Sequence, residues 1–151
     1  MCVSQLKSVI TDDERVARVL FAPSYISEGR VAPTAFRWYH LKREPEKYIS
    51  VLRDCGENIE SQSAKMRPRE DGDSRYGYSW LNVKKIRDIS MTVDNAKIDV
   101  KGYPTKRLPN HAGIEVYLND ELVSADTPVC TEILMIQKCL ATCCSTPIPF
   151  Q

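Results

Sequence analysis

The sequence predicts an α+β protein in which a C-terminal helix packs on a small antiparallel β-sheet or partly open barrel. Three patterns in the 151-residue chain indicate this class. Residues 76–80 alternate with the period of a strand, and later β-prone runs are paired around turn-type residues. Residues 128–143 form an apolar run of helical length behind a Thr-Pro start. Strands in the middle and a helix at the end therefore define the predicted architecture.

The composition is that of an ordinary globular protein. Hydrophobic residues make up 42% of the chain and charged residues 27%, and the length suits one domain, residues 1–151. Residues 1–7 lack the apolar core of a signal peptide, and charged residues interrupt every later apolar stretch. We therefore expect a soluble cytoplasmic protein with no membrane partner and with its six cysteines reduced.

The first half of the chain is predicted to contain three short strands. Thr11 to Glu14 has the form of a helix capping box, but residues 16–21 are rich in β-branched and aromatic side chains and Pro23 follows soon after. We favour a strand there. Arg30 to Phe36 is predicted to be a second strand, with Pro33 at an edge or bulge, and residues 48–52 a third. Residues 56–67 are predicted to form an exposed helix.

The second half is predicted to be mainly antiparallel sheet. A strand at residues 76–80 would place its three aromatic side chains on one face. Two hairpins are predicted after it. Residues 91–93 and 97–100 flank the turn residues 94–96, and residues 114–118 and 121–123 flank Asn119 and Asp120.

A helix is predicted from Pro128 to about Cys143, capped by Thr127. Its apolar side chains leave only a thin polar stripe, formed by Thr131, Glu132, Gln137 and Lys138. We therefore expect the helix to be buried on most of its circumference, either across the sheet or in the interface of a homodimer.

The thiols of Cys139, Cys143 and Cys144 raise the question of a metal site, because residues four apart share one face of a helix. Tetrahedral zinc sites use about four ligands, commonly with a Cys-x-x-Cys knuckle, and this segment has neither a knuckle nor a nearby histidine. We expect buried apolar cysteines, no metal and no cofactor.

His111 is the candidate catalytic residue, because it stands directly before a predicted strand, where functional imidazoles are often found. It would act as a general base, with Arg30 or Arg37 holding an anionic substrate. The alternative is that the imidazole caps the strand and bonds locally, since the chain carries no nucleophile elbow and no phosphate-binding glycine loop.

Residues 75–87 suggest a nucleic-acid surface. Seven basic and three acidic residues fall within residues 65–87. Aromatic stacking with cationic flanks is how single strands are bound without sequence preference. The residues of this candidate surface are Tyr76, Tyr78, Trp80, Lys84, Lys85 and Arg87. The alternative is that the C-terminal helix covers the aromatic face as part of the core.

Three short segments carry a resemblance to known proteins: residues 29–36 with Ala35-Phe36, residues 48–51 with Ser50-Val51, and His111-Ala112 with the two residues that follow. Together they resemble a group of small uncharacterised bacterial proteins with an Ala-Phe, Ser-Val and His-Ala pattern. The resemblance implies a bacterial source and an operon-encoded accessory role, and it assigns no function to any residue.

The leading functional expectation is a non-enzymatic accessory protein that binds a partner protein, because no complete catalytic or cofactor motif is present. The partner is expected to be encoded in the same operon. Single-stranded nucleic-acid binding through residues 75–87 and a small enzyme using His111 are the two alternatives.

Overall fold

A computed structural model describes residues 6–151. Its main feature is a seven-stranded antiparallel sheet, accompanied by two small two-stranded ladders and three α-helices. The helices are α1 (Ile59–Ser63), α2 (Val83–Asp88) and α3 (Thr131–Cys143). The strands are β1 (Arg15–Ala22), β2 (Ile26–Ser27), β3 (Arg30–Val31), β4 (His40–Leu41), β5 (Glu44–Pro45), β6 (Ile49–Arg53), β7 (Ser74–Asn82), β8 (Ala96–Gly102), β9 (His111–Leu118), β10 (Glu121–Leu122) and β11 (Ile148–Pro149). The α+β prediction is confirmed.

The large sheet has the order β10-β9-β6-β1-β7-β11, and β8 pairs with β9. Strand β9 has β8 along one side, whereas β6 and β10 share its other side, because Ile114 pairs with both Ile49 and Val100 while Tyr117 pairs with both Lys97 and Leu122. The sheet is open rather than closed into a barrel. Its long central strands bring distant parts of the chain, including β6 and β9, next to each other.

The core lies between one face of this sheet and the helices α2 and α3, together with a 3-10 turn at Pro33–Phe36. α3 packs against that turn, and Gln137 Nε2 donates a hydrogen bond of 3.0 Å to the carbonyl of Phe36. α1 contacts β1 and β7. It lies over the opposite face, where Arg75 of β7 donates to Ser63 Oγ at 3.1 Å. The sheet is thus partly covered on both faces.

Several strand predictions are confirmed. β1 is a strand rather than a helix, β6 and β7 occupy the predicted segments, and β9 and β10 form the predicted hairpin. Asn119 and Asp120 both have positive φ angles, 51° and 66°, which is the backbone of the tight hairpin turn that such residues favour.

Other elements differ from the prediction. Residues 91–93 form no strand, because Ile89–Met91 is a 3-10 turn and β8 pairs with β9 instead. α2 was not predicted, and it begins where the Asn82 side chain accepts a hydrogen bond from the Lys85 amide. The strand predicted from Arg30 to Phe36 is only the two-residue β3, after which Pro33 starts the 3-10 turn. α1 is shorter than the predicted helix.

α3 begins later and is less buried than predicted. Thr127 closes a turn with Ser124, because its Oγ1 accepts from the Ser124 amide at 2.9 Å, so it does not cap the helix. The helix starts at Thr131. Gln137 of the expected polar stripe is buried, whereas Leu134 is 54% and Met135 42% exposed. No helix within residues 6–151 has the length and apolar character needed to cross a membrane.

The packing of α3 yields a stability test with an internal control. Leu140 is fully buried in the core, whereas Leu134 on the same helix is exposed. Leu140→Ala should lower the free energy of unfolding by about 2–5 kcal/mol, because it leaves a cavity. Leu134→Ala should change it by no more than about 0.5 kcal/mol. Urea denaturation of both variants measures this, and equal losses would contradict the described orientation of α3.

Candidate functional site

A cleft opens where β1 and β6 part from each other. Only two residue pairs join these strands, Val16 with Arg53 and Ala17 with Leu52. The next residue, Arg18, links the two strands with its side chain, because Nη1 donates to the carbonyl of Ser50 at 2.8 Å. The cleft has a volume of about 380 Å³, and Val19, Ser50 and His111 are among the residues that line it.

Pairing between β6 and β9 brings Ser50 and His111 together. Ser50 lies opposite Gly113, and His111 lies opposite Leu52, so the two side chains are diagonal neighbours on one face of the sheet. Ser50 Oγ is 3.2 Å from His111 Nε2. His111 Nδ1 is 3.0 Å from the carbonyl oxygen of Tyr103. Since a carbonyl can only accept, Nδ1 carries the hydrogen, and Nε2 of the neutral ring accepts from the serine hydroxyl.

Burial keeps the imidazole of His111 neutral. Removal from water lowers the pKa of His111 below its ordinary value, and the hydrogen bond to Tyr103 opposes this effect without cancelling it. At neutral pH, therefore, an unprotonated Nε2 faces a serine hydroxyl. That arrangement can remove a proton from the hydroxyl during a nucleophilic attack.

Two tyrosine rings hold the imidazole in place. Tyr48 stacks on Tyr103 with ring centroids 4.2 Å apart, and it meets the His111 ring edge-on at 5.8 Å. Gly113 makes room for this packing, because a Cβ at that position would lie 2.2 Å from Tyr48 Cδ1. The hydroxyl of Tyr103 donates to the buried carboxylate of Glu115. Tyr103, whose carbonyl orients His111, is thus also held in place by a hydrogen bond from its ring hydroxyl.

The lining of the cleft is strongly cationic. Five basic side chains line it against a single carboxylate, that of Glu46. The basic residues are Arg18, Arg37, Lys65, Arg67 and Arg69. The ion pairs that Arg37 forms with Glu70 and Arg69 with Glu46 are long, 3.7 and 3.5 Å, so both guanidinium groups retain much of their capacity to bind an anion.

The structure brings together two of the three predicted catalytic residues. His111 and Arg37 line the same cleft. Arg30 lies elsewhere, in a depression beside the end of α3 with Lys138 and Pro147. The alternative expectation, that the imidazole bonds locally, also describes what is seen, because the Tyr103 carbonyl is its partner.

Sequence reasoning did not identify Ser50 and Arg18 as site residues. The sequence does contain an indication for Arg18, because an arginine in the middle of the apolar strand β1 is unusual. The sequence contains no such indication for Ser50, because a serine in a half-buried strand is common. Only the pairing of β6 with β9 places Ser50 beside His111.

The candidate nucleic-acid surface is half-buried rather than open. Tyr78 lies against Phe150 of the C-terminal tail, with ring centroids 5.9 Å apart, and the Arg15 guanidinium lies 3.8 Å above the Trp80 ring. Tyr76 sits at a register shift between β1 and β7. The C-terminal tail, rather than α3, therefore packs against this aromatic face.

The basic residues beyond the aromatic strand differ from one another. Lys84 pairs with Asp88 at 2.9 Å, and Arg87 binds Asp12 and Asp99 at 2.8 and 2.9 Å. Lys85 is exposed. Binding of single-stranded nucleic acid by residues 75–87 remains a prediction.

The cysteines Cys139 and Cys143 of α3, and Cys144 directly after it, are half-buried thiols. Burial raises the pKa of Cys143 and raises the pKa of Cys144 to about 12, so both are protonated at neutral pH. Within residues 6–151, no group of three or more His, Cys, Asp or Glu side chains is arranged to hold a metal ion.

No protein-family model matches the chain, and comparison with curated proteins and with solved structures gives no match either. The geometry of the cleft is therefore the main observation that bears on function. Binding of a partner protein, and a homodimer through the C-terminal helix, remain predictions.

The nucleic-acid hypothesis gives a direct test at Trp80. Trp38→Phe leaves Trp80 as the single tryptophan, so its fluorescence reports on that face alone. The hypothesis predicts quenching by a single-stranded oligonucleotide, with an affinity that falls steeply as salt is added. Trp80→Ala should weaken binding by about 1–3 kcal/mol, measured by anisotropy of a labelled oligonucleotide. If the folded protein does not bind the oligonucleotide at low salt, the hypothesis that this surface binds nucleic acid is excluded.

Proposed function

We propose that this chain is a small hydrolytic enzyme in which His111 acts as general base on the hydroxyl of Ser50, within a cleft that binds an anionic substrate. The hydrogen bond of 3.2 Å between Ser50 Oγ and His111 Nε2 is the observation that carries the proposal. The hydrogen bond from Nδ1 to the Tyr103 carbonyl supports it, because it fixes the tautomer that general-base catalysis requires.

The reaction proceeds in two balanced halves. Ser50 Oγ attacks the electrophilic centre of an ester and forms a covalent bond to it, while its proton passes to His111 Nε2. The bond to the leaving oxygen then breaks, and His111 returns the proton to that oxygen. In the second half, water attacks the same centre while it gives a proton to His111, the bond to Ser50 Oγ breaks, and His111 returns the proton to Ser50.

The surroundings suit these roles. A backbone carbonyl, that of Tyr103, stabilises the imidazolium that forms transiently, in the position where many hydrolases use a carboxylate. Arg37 lines the same cleft with a half-exposed guanidinium, where it can bind the anionic part of a substrate.

An organophosphorus fluoridate tests the nucleophile without knowledge of the natural substrate. Diisopropyl fluorophosphate should modify Ser50 with loss of fluoride, and mass spectrometry of the digested protein locates the adduct. His111→Gln should slow the modification by about 100-fold or more, because the base is removed. The exposed His40, which pairs with Asp126, supplies the matched control His40→Gln, which should react at the wild-type rate. Modification at another residue, or an unchanged rate in His111→Gln, would refute the proposal.

The pH dependence of the same reaction is a second prediction. Since burial lowers the pKa of His111, the neutral base persists to more acidic pH than for a free imidazole with a pKa of about 6.5. The labelling rate should be constant above pH 7 and should fall on acidification with a midpoint below about 6.5. Labelling reactions that are quenched after fixed times, at pH values between 4.5 and 8, measure this dependence of the rate on pH. A midpoint above that value would contradict the described environment of His111.

A further inference from the structure

Arg18 carries a buried positive charge that no carboxylate balances. The residue is only 8% exposed. Its Nε and Nη2 both donate to the carbonyl of Ala35, at 2.9 and 2.8 Å, and its Nη1 donates to the carbonyl of Ser50. None of the ion pairs formed within residues 6–151 includes Arg18. Backbone carbonyls satisfy its hydrogen bonds but leave its charge uncompensated, whereas buried charges are ordinarily paired.

This charge lies at the cleft of Ser50 and His111. Arg18 is one of the residues that line the cleft, and its guanidinium is bonded to the backbone of Ser50 itself. Because the surroundings have a low dielectric constant, its field acts strongly on whatever occupies the space beside the Ser50 hydroxyl. An anion bound there would balance the charge that the protein leaves unpaired.

A second group in the cleft also lacks a partner. The hydroxyl of Tyr39 is buried without a hydrogen-bond partner within residues 6–151, and Tyr39 lines the cleft. Burial raises its pKa far above the ordinary value, and the neighbouring Tyr25 hydroxyl and Glu70 carboxylate raise it further, so the hydroxyl keeps its proton and is a donor. A buried donor needs an acceptor. Either the Glu70 carboxylate beside it or an anionic oxygen in the cleft would supply one.

The remaining basic side chains point to the kind of anion. Arg37, Arg67 and Arg69 line the cleft at its exposed side, and Arg67 forms no ion pair within the described residues. Guanidinium groups bind the oxygens of a phosphoryl group two at a time, and they stabilise the charge that spreads over those oxygens during transfer. Even with Glu70 beside Arg37, the cations of the lining outnumber the carboxylates, and this excess suits a dianion better than a monoanionic carboxylate.

We propose that the substrate of this cleft is a phosphate monoester, and that the phosphoryl group is the part that Ser50 attacks. This inference rests on the proposed function. Ser50 Oγ bonds to phosphorus as its proton moves to His111, the bond from phosphorus to the ester oxygen breaks, and His111 protonates the departing alcohol. Water then attacks phosphorus and gives a proton to His111, the bond from phosphorus to Ser50 Oγ breaks, and His111 returns the proton to Ser50 as inorganic phosphate leaves.

Binding is tested separately from catalysis. Isothermal titration of Ser50→Ala with inorganic phosphate should show one site, and acetate at the same concentration should bind at least tenfold more weakly. Arg67→Gln in the same background should weaken phosphate binding at least tenfold. Arg67 is exposed and forms no described ion pair, so this variant should fold. Lys97→Gln, which removes an exposed charge from β8 outside the cleft, is the matched control and should bind phosphate normally.

Turnover of p-nitrophenyl phosphate and p-nitrophenyl acetate by the wild-type protein completes the test. Phosphate binding together with Ser50-dependent hydrolysis of the phosphate ester would support both proposals. Phosphate binding without hydrolysis of either ester would overturn the hydrolytic function and, with it, the attack of Ser50 on phosphorus, and would leave only an anion-binding cleft. Ser50-dependent hydrolysis of the acetate without phosphate binding would keep the hydrolytic function and overturn this inference. Equal binding of phosphate by Arg67→Gln would also overturn it.

Discussion

The guanidinium of Arg18 is the contact on which the centre of this fold depends. It joins three parts of the chain: its own strand β1, the strand β6 through the Ser50 carbonyl, and the 3-10 turn through the Ala35 carbonyl. Hydrogen bonds from a charged donor are stronger than those between neutral groups, particularly away from water. Because the side chain replaces the backbone ladder beyond Ala17, β1 and β6 can separate there without leaving these two carbonyls unpaired.

The candidate site is a direct consequence of that separation. A continuous ladder would have closed the space between β1 and β6, whereas the gap forms a cleft beside Ser50. On its other edge β6 pairs regularly with β9, and this register sets His111 within hydrogen-bonding distance of Ser50. One strand therefore has a regular edge that positions the imidazole and an open edge that borders the cleft.

The local patterns were informative wherever one segment decides its own structure. Alternation predicted β6 and β7, and the Asn119-Asp120 turn predicted the hairpin, because these features depend on side-chain period and backbone preference within a few residues. Predictions failed where contacts with residues far along the chain decide the structure of a segment. Residues 91–93 have strand-like composition, yet β8 pairs with β9, whose partner residues lie 10 to 22 positions further along the chain. Gln137 belonged to a polar stripe by pattern but is buried, because the Phe36 carbonyl accepts its amide hydrogen.

By itself, the sequence determined the α+β class, the strand character of the central segments, and the choice of His111 as a candidate base with an arginine beside it. Only the tertiary structure shows which arginine shares a cleft with His111: Arg37 lines that cleft, whereas Arg30 lies elsewhere. It also added Ser50 and Arg18. The physical reason is that a site of this kind is made by cross-strand register and by a gap between strands, and both depend on contacts between residues more than thirty positions apart. No local preference encodes such contacts.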